Sequence, residues 1–146
     1  MAETTKITDE SAAVQAHLSI TQAIIQRMAS NSASCKAWCI TLVSAILVIV
    51  ADKGKPHYAF IAVIPTALFL ILDTYYLALE RCFRESYNGF IMKLHGGKIE
   101  PRDVYYVKPA GSLLKTFPKC LVSFSVWPFY LTLGVMIWLT KALVIG

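Results

Sequence analysis

The 146 residues are enough for one domain, but their composition excludes an ordinary soluble one. Apolar residues make up 56% of the chain and charged residues only 16%, against about 25% charged residues in typical globular chains. The net charge is +5, and the charges are clustered so that long stretches carry none, which is typical of membrane spans.

The N-terminal segment predicts an amphipathic helix. Thr8 is a hydroxyl N-cap, and the acids that follow it complement the positive end of the helix dipole. Apolar residues then recur every three or four positions through Met28, and no Gly or Pro interrupts the chain. We assign residues 1–36 to a cytoplasmic amphipathic helix. No signal peptide is expected, because the first apolar run begins only at Ala37.

Residues 37–79 predict a transmembrane hairpin of two helices. The uncharged run 37–51 reaches spanning length only if the Lys36 side chain snorkels, and a compact turn containing Gly54 and Pro56 follows it. The second run, 57–72, contains Pro65, which should kink the helix or require local repair. This second span extends to residue 79 only if it includes the charged residue Asp73.

Residues 80–119 predict a cytoplasmic stalk and a basic connector. The helix continues in register to Leu94, and His95-Gly96-Gly97 ends it. The connector contains three prolines, and its run from Val104 to Val107 is compatible with a short strand.

The last segment, 120–146, predicts a third transmembrane helix. Residues 120–140 carry no charge, and Pro128 lies near their middle. The alternative is two spans and a third segment that inserts only in an oligomer.

Lys and Arg are distributed asymmetrically around these runs. Three precede the first run and eight lie between Arg81 and Lys119, whereas two occupy the short turn and one follows the last run. By the positive-inside rule this predicts a cytoplasmic N-terminus, three spans and an external C-terminus.

The two long helices also predict self-association. A helix from His57 to Leu94 is about 57 Å long, whereas the bilayer core is about 30 Å thick, so each helix has an apolar stripe in water. We therefore expect an all-α, homo-oligomeric membrane protein with a long antiparallel helical hairpin that extends from the bilayer as a stalk. The predicted oligomer-interface residues are Val14, Leu18, Ile25, Phe83, Tyr87 and Phe90.

Two spans with a very short loop, followed by a helix that reads Tyr75-Tyr76-Leu77, Glu80-Arg81, Phe83-Arg84 and Tyr87, resemble the SLATT-type membrane effectors. These small bacterial proteins accompany nucleotide-signalling antiphage systems and are thought to open pores in the inner membrane. The resemblance covers residues 8–94 and leaves out the third span. It implies an inner-membrane effector, most simply a tetramer. It also allows the related Hailong-type channel class, whose gate responds to a nucleic-acid oligomer.

Asp73 is the main candidate for a pore residue. A carboxylate inside the apolar layer is costly and usually faces water or a partner. We predict that Asp73, with Thr74, lines a pore and forms a ring that attracts cations. The alternative is that Asp73 marks the membrane interface, with Tyr75 and Tyr76 as belt aromatics.

Basic residues interleaved with aromatics suggest a site for a nucleotide or a single-stranded oligonucleotide made by a partner nucleotidyltransferase. Cations pair with phosphates, and aromatic rings stack on bases. The alternative is a solvated basic region that anchors at lipid headgroups and sets topology. The predicted ligand-binding residues are Arg81, Arg84, Lys93, Lys98, Arg102, Tyr105, Tyr106 and Lys108.

No catalytic motif is present in the sequence, and we expect neither an enzyme nor a cofactor. The four cysteines have no CxxC spacing, and no histidine lies at ligand spacing from them, so we expect neither a disulfide framework nor a metal. Three functions remain: a ligand-gated ion channel that depolarises the inner membrane in antiphage defence, a non-conducting structural or assembly subunit, and a small transporter. The transporter is least favoured because no internal repeat of spans is found.

Overall fold

The computed structural model describes residues 11–145, which form helices and connecting turns and contain no strand. The five α-helices are α1 (Ala12–Lys53), α2 (Val63–His95), α3 (Pro101–Val104), α4 (Leu113–Leu121) and α5 (Trp127–Ile145), and a 3₁₀ helix (Pro56–Ala62) precedes α2. The prediction of an all-helical chain is confirmed for these residues.

Helix α1 runs through 42 residues without a break. The predicted cap, Thr8, lies outside the described residues. In the structure Ser11 is the N-cap, and its hydroxyl accepts the Val14 N–H at 3.3 Å. Gly54 ends the helix in the left-handed conformation with φ of 58°, a conformation that glycine adopts without a Cβ clash.

Helix α1 packs along α2, and the contacts pair the start of one with the end of the other. The His17 ring stacks on Phe90, the Gln22 amide donates to the Tyr87 hydroxyl, and Ser32 contacts Asp73. The two helices therefore run in opposite directions. They pass the predicted segment boundaries at residues 36 and 79 without a break.

The interior consists of two clusters of buried residues. The larger lies between α1, the 3₁₀ helix and α5, and includes Val43, Leu47, Ala62 and Leu133. The smaller lies at the other end of the helix pair, where Val14, Phe90 and Val104 pack together. We use the name apolar half for residues 37–72 and 127–145, and polar half for residues 12–35 and 74–121.

Two local predictions are corrected. The run 104–107 does not form a strand: Val104 ends the helical turn α3, which Glu100 and Asp103 stabilise with a capping box, and residues 105–107 are irregular. Pro65 is tolerated through a local adjustment, which is one of the two predicted outcomes: it lies in the first turn of α2, where the backbone N–H that proline lacks is not needed, and a 3₁₀ helix precedes α2. The run 120–140 is interrupted by a turn after α4, because the helix containing Pro128 begins only at Trp127.

Two helical segments of the described chain, α1 and residues 57–95, are long and apolar enough to cross a membrane. Their most apolar windows are only 28% and 17% buried, whereas the core helix of a soluble protein is mostly buried. Most of the large exposed apolar side chains, such as Val48, Ile64 and Leu68, lie in the apolar half.

Candidate functional site

Asp73 is fully buried at the contact between α1 and α2. Its Oδ2 lies 2.6 Å from Lys36 Nζ in an ion pair. Its Oδ1 accepts the Ser32 hydroxyl, and Lys36 Nζ donates to Ser32 Oγ at 3.4 Å. We name Ser32, Lys36 and Asp73 the polar cluster. It satisfies a buried carboxylate inside one protomer, as burial of a charge requires.

Helical spacing places the polar cluster at the edge of both uncharged runs. Ser32 and Lys36 are one turn apart on the same face of α1. Lys36 immediately precedes one uncharged run, and Asp73 immediately follows the other. The ends of the two runs therefore lie at one level. Lys36 pairs with Asp73 across the helix contact, so it does not act only as the predicted snorkelling residue.

This pairing explains how the first segment can reach the length of a membrane span, although its uncharged run has only 15 residues. Segments 28–51 and 56–79 each have 24 residues and one charge, and those two charges are Lys36 and Asp73. Each segment is about 36 Å long as a helix, which exceeds the bilayer core of about 30 Å. With the pair neutralised internally, both segments have the length of a full span.

Three further buried groups surround the polar cluster. Cys35 lies between Ser32 and Lys36 on α1, and Cys39 comes one turn later; both are buried. The hydroxyl of Tyr130 on α5 is buried near Asp73 and both thiols, without a hydrogen-bond partner among the described residues. The third helix thus brings a polar group to the same level of the structure.

The predicted pore residues both point into this interior. Thr74 is fully buried, and its hydroxyl donates to the Leu70 carbonyl at 2.7 Å. Asp73 has no exposed surface within one protomer. That they line a pore in an assembly stays a prediction.

A second polar site is a cavity of about 250 Å³ between α2 and the connector, which we name the connector cavity. His17 forms part of its wall: its ring stacks on Phe90 at 4.1 Å, and its Nδ1–H donates to the Val104 carbonyl at 2.9 Å. The lining residues come from α1, α2 and the connector: His17, Glu85, Ser86, Gly89, Phe90, Lys93, Asp103, Tyr106, Lys108 and Ala110.

Charges of both signs line the connector cavity. Lys93 Nζ lies 3.3 Å from Asp103 Oδ1, and Lys108 Nζ lies 5.3 Å from the centre of the Tyr106 ring. The Glu100 N–H donates to Asp103 Oδ2 at 3.2 Å, and this bond, together with Lys93, lowers the pKa of Asp103 against the opposing effect of burial. Asp103 is therefore a carboxylate at neutral pH and holds Lys93 in place.

The structure brings three of the eight predicted ligand-binding residues, Lys93, Tyr106 and Lys108, to the connector cavity. Arg81 donates to the Ser123 hydroxyl at 2.8 Å. Arg84 pairs with Glu80 at 2.8 Å, and Arg102 pairs with Glu100 at 2.7 Å. Lys98 and Tyr105 are exposed and do not line the cavity. A role in ligand binding stays a prediction for all eight.

The predicted interface residues are all at least half-buried within one chain. Val14, Ile25 and Phe90 are buried, and Leu18, Phe83 and Tyr87 are half-buried. Of these, Val14, Leu18 and Phe90 pack in one cluster. A role of the six in contacts between subunits stays a prediction.

Several site residues were missed by sequence reasoning. Ser32 and Lys36 were not recognised as partners of Asp73, although Lys36 and Asp73 flank the uncharged runs on the side away from the short turn. His17, Glu85 and Asp103 were not assigned to a binding site. The sequence spacing Glu100-Pro101-Arg102-Asp103 was an available capping-box signal.

Comparison of the chain with protein-family models, with curated proteins and with solved structures gives no match. Among residues 11–145, no three His, Cys, Asp or Glu side chains are grouped so as to hold a metal ion. The function is therefore inferred from the arrangement of these two sites.

Proposed function

We propose that the chain is a multi-pass membrane protein that assembles into a homo-oligomeric, ligand-gated ion channel. The observation that carries this proposal is the Lys36–Asp73 ion pair. It lies at the edge of the apolar half, where most of the large exposed apolar side chains are found. Ionisable groups within membrane spans are rare and usually mark an ion pathway or a switch.

The proposed topology has a cytoplasmic N-terminus, with the polar half as a stalk in the cytoplasm and Lys53 and Lys55 outside. Lys/Arg asymmetry supports this orientation. Lys141, near the C-terminal end of α5, lies 4.7 Å from the centre of the Phe60 ring, which places it near the short turn. A maleimide that does not cross membranes should label Lys53→Cys and not Lys98→Cys in intact cells. The reverse pattern would overturn the orientation.

The connector cavity supplies a route from ligand binding to the apolar half. Its walls come from α1, α2 and the connector, so an occupant changes the spacing of the two long helices. Both helices continue unbroken from the cavity to the polar cluster. A ligand with phosphates, a nucleotide or a single-stranded oligonucleotide, suits Lys93, Lys108 and the Tyr106 ring. Separation of Lys36 from Asp73 then frees a carboxylate to attract cations.

The setting we propose is the bacterial inner membrane, where such a channel depolarises the cell as an effector of antiphage defence. The supporting observation is the resemblance of residues 8–94 to SLATT-type effectors. The tetramer is proposed on the same ground.

A non-conducting structural subunit of a membrane complex is the alternative. Its support is the complete burial of Asp73 and its pairing with Lys36, which leave no charge in need of a water-filled lumen. Such a protein should form a stable oligomer in detergent and conduct no ions.

Planar-bilayer recording of the purified protein separates the two functions. The channel proposal expects cation-selective currents whose reversal potential under a salt gradient moves towards zero in Asp73→Asn. Absence of current at every ligand and voltage, with an intact oligomer, would favour the structural subunit. Current with an unchanged reversal potential would remove Asp73 from the conduction path.

Ligand control is tested with a single-stranded DNA oligonucleotide and with cyclic dinucleotides as probes. Lys93→Gln with Lys108→Gln should remove the response and keep the pore. Lys98→Gln with Arg102→Gln removes the same charge outside the cavity and is the matched control. Equal loss of the ligand response in both double variants would show that the ligand binds an extended basic surface and not the connector cavity.

A further inference from the structure

Helix α4 has one face that packs on the protein. At about 100° per residue, Leu113, Thr116, Phe117 and Cys120 share one side of the helix, and all four are buried or half-buried. This side faces α2, where the Cys82 thiol lies 3.8 Å from the Thr116 hydroxyl. The position of α4 is therefore fixed against α2.

A second face of α4 is apolar and exposed. Leu114 and Leu121 lie on it, and Leu114 is 87% exposed. The chain beyond the helix continues this surface with Val122 and Phe124, which are 72% and 84% exposed. Contiguous exposed apolar surface of this kind normally marks an interaction site.

The third face of α4 is basic. Lys115 and Lys119 are one turn apart and exposed. No acidic residue follows Asp103 in the sequence. Within the described chain, neither lysine has a carboxylate at ion-pair distance. The face thus presents two positive charges to its surroundings.

The exposed apolar surface of α4 borders that of the apolar half. Ser123, just after α4, accepts a hydrogen bond from Arg81, and α5 begins at Trp127, whose side chain is also exposed. Phe124 lies in the turn between α4 and α5, so exposed apolar side chains follow one another along the chain from Leu121 to Trp127.

We propose that α4 is an interfacial helix that binds the anionic surface of the adjoining lipid leaflet. Leu114, Leu121 and Phe124 enter the boundary between headgroups and acyl chains, and Lys115 and Lys119 bind lipid phosphates. The proposal rests on the membrane location proposed above and is independent of conduction. An apolar edge beside lysines on a short helix is the pattern of a helix that lies in the membrane plane. The surface is continuous with that of the apolar half, which favours lipid over a second copy of the chain.

The depth of α4 is tested with the full-length chain in vesicles of phosphatidylcholine and phosphatidylglycerol. An environment-sensitive thiol label is attached at Leu114→Cys and, as the matched control, at the exposed Met92→Cys of the polar half. Because the four native thiols are buried, the unsubstituted protein measures background labelling.

Spin-labelled lipid should quench the label at position 114 several-fold more strongly than at position 92, and aqueous iodide should show the opposite order. Equal iodide quenching at both positions would place α4 in water and overturn the proposal. Protection of position 114 from both quenchers would identify a protein occupant and would also overturn it. Release of the protein by an alkaline carbonate wash would instead contradict the membrane location itself.

The lipid charge is tested by the preference of the vesicle-bound protein for spin-labelled phosphatidylglycerol over phosphatidylcholine. Lys115→Gln with Lys119→Gln should reduce the preference by up to about fivefold for each lysine. Lys98→Gln with Arg102→Gln is the matched control and should leave the preference unchanged. The same reduction in both pairs would show a response to net charge alone and would contradict a phosphate site on α4.

Discussion

The two halves of the α1–α2 pair share one backbone arrangement and present opposite surfaces. In the apolar half, Val48 and Ile64 are exposed, and α5 packs against the two helices. In the part of the polar half formed by α1 and α2, the exposed positions include Gln26, Arg84 and Asn88, and Val14 and Phe90 are buried. Both halves contain an apolar cluster, so what differs is the polarity of the outer surface of the helix pair.

The boundary between the halves is a single level in the structure. It lies at the polar cluster, where both uncharged runs end. A chain that paired its helices one turn out of register would leave Lys36 and Asp73 unpaired at different depths. The ion pair therefore fixes the register of the helices at the boundary between the two halves.

The largest expected effect on stability comes from removing the Lys36–Asp73 ion pair. Lys36→Met leaves a buried carboxylate with one hydrogen bond, which should lower the free energy of unfolding by about 3 to 5 kcal/mol. The double variant Lys36→Met with Asp73→Leu removes both charges and should recover most of the loss. Thermal unfolding in detergent measures both.

The matched control for Lys36→Met is Arg27→Met, which removes an exposed cation from the same helix. It should change the free energy of unfolding by about 0.5 kcal/mol or less. A double variant as unstable as Lys36→Met would show that packing, not charge pairing, dominates at this level.

The second-largest effect is expected from a substitution that destabilises the polar half alone. Phe90 is buried against Val14, Val104 and the His17 ring, so Phe90→Ala should cost about 3 kcal/mol. Hydrogen exchange should increase around α3 and the start of α1 and remain unchanged in the apolar half. The exposed Met92→Ala serves as control. Faster exchange throughout would show that the two halves unfold as one unit.

A smaller effect is expected at the turn of the apolar half. Gly54 has φ of 58° and open space around it, so Gly54→Ala should cost about 1 kcal/mol through backbone strain alone. Gly134→Ala, in the interior of α5 with no atom close to the added Cβ, should be neutral or stabilising. Equal effects of the two variants in thermal unfolding would contradict this distinction.

The smallest effect is expected at Asp103, which caps α3 and pairs with Lys93. Asp103→Asn should cost about 0.5 kcal/mol at pH 7, since the carboxylate is near water. The pKa of Asp103 is lowered in the folded state, so its charge stabilises the fold above the ordinary aspartate pKa. That contribution is lost as pH falls through the lowered value. The difference between the two proteins should therefore disappear in acid, and a difference that persisted there would point to shape instead of charge.

Periodicity and charge spacing were sufficient to predict the long helices. The uncharged runs, the Gly54 turn and the apolar stripe through Phe90 are local signals in the sequence. They were therefore enough to predict α1, the turn after it and α2. The break before α5 was missed because absence of charge does not report helix continuity, whereas Pro128 at a first turn does.

The sites were harder to predict because they depend on contacts distant in sequence. Asp73 was identified as costly, but its partner lies 41 positions away, on the other helix of the pair. The connector cavity depends on the hydrogen bond from His17 to Val104, which no local pattern encodes. The basic residues looked alike in sequence, and only their neighbours distinguish Lys93 from Arg84.

The unbroken length of α1 has a mechanical consequence. Forty-two residues span about 63 Å, and Lys36 lies somewhat beyond their midpoint. If Lys36 acts as a fulcrum, a tilt of about 5° displaces the two ends of α1 by about 2 to 3 Å in opposite directions. Such a lever moves the turn at Gly54 whenever His17 moves, and in the topology proposed above it connects the two faces of the membrane without a chemical messenger.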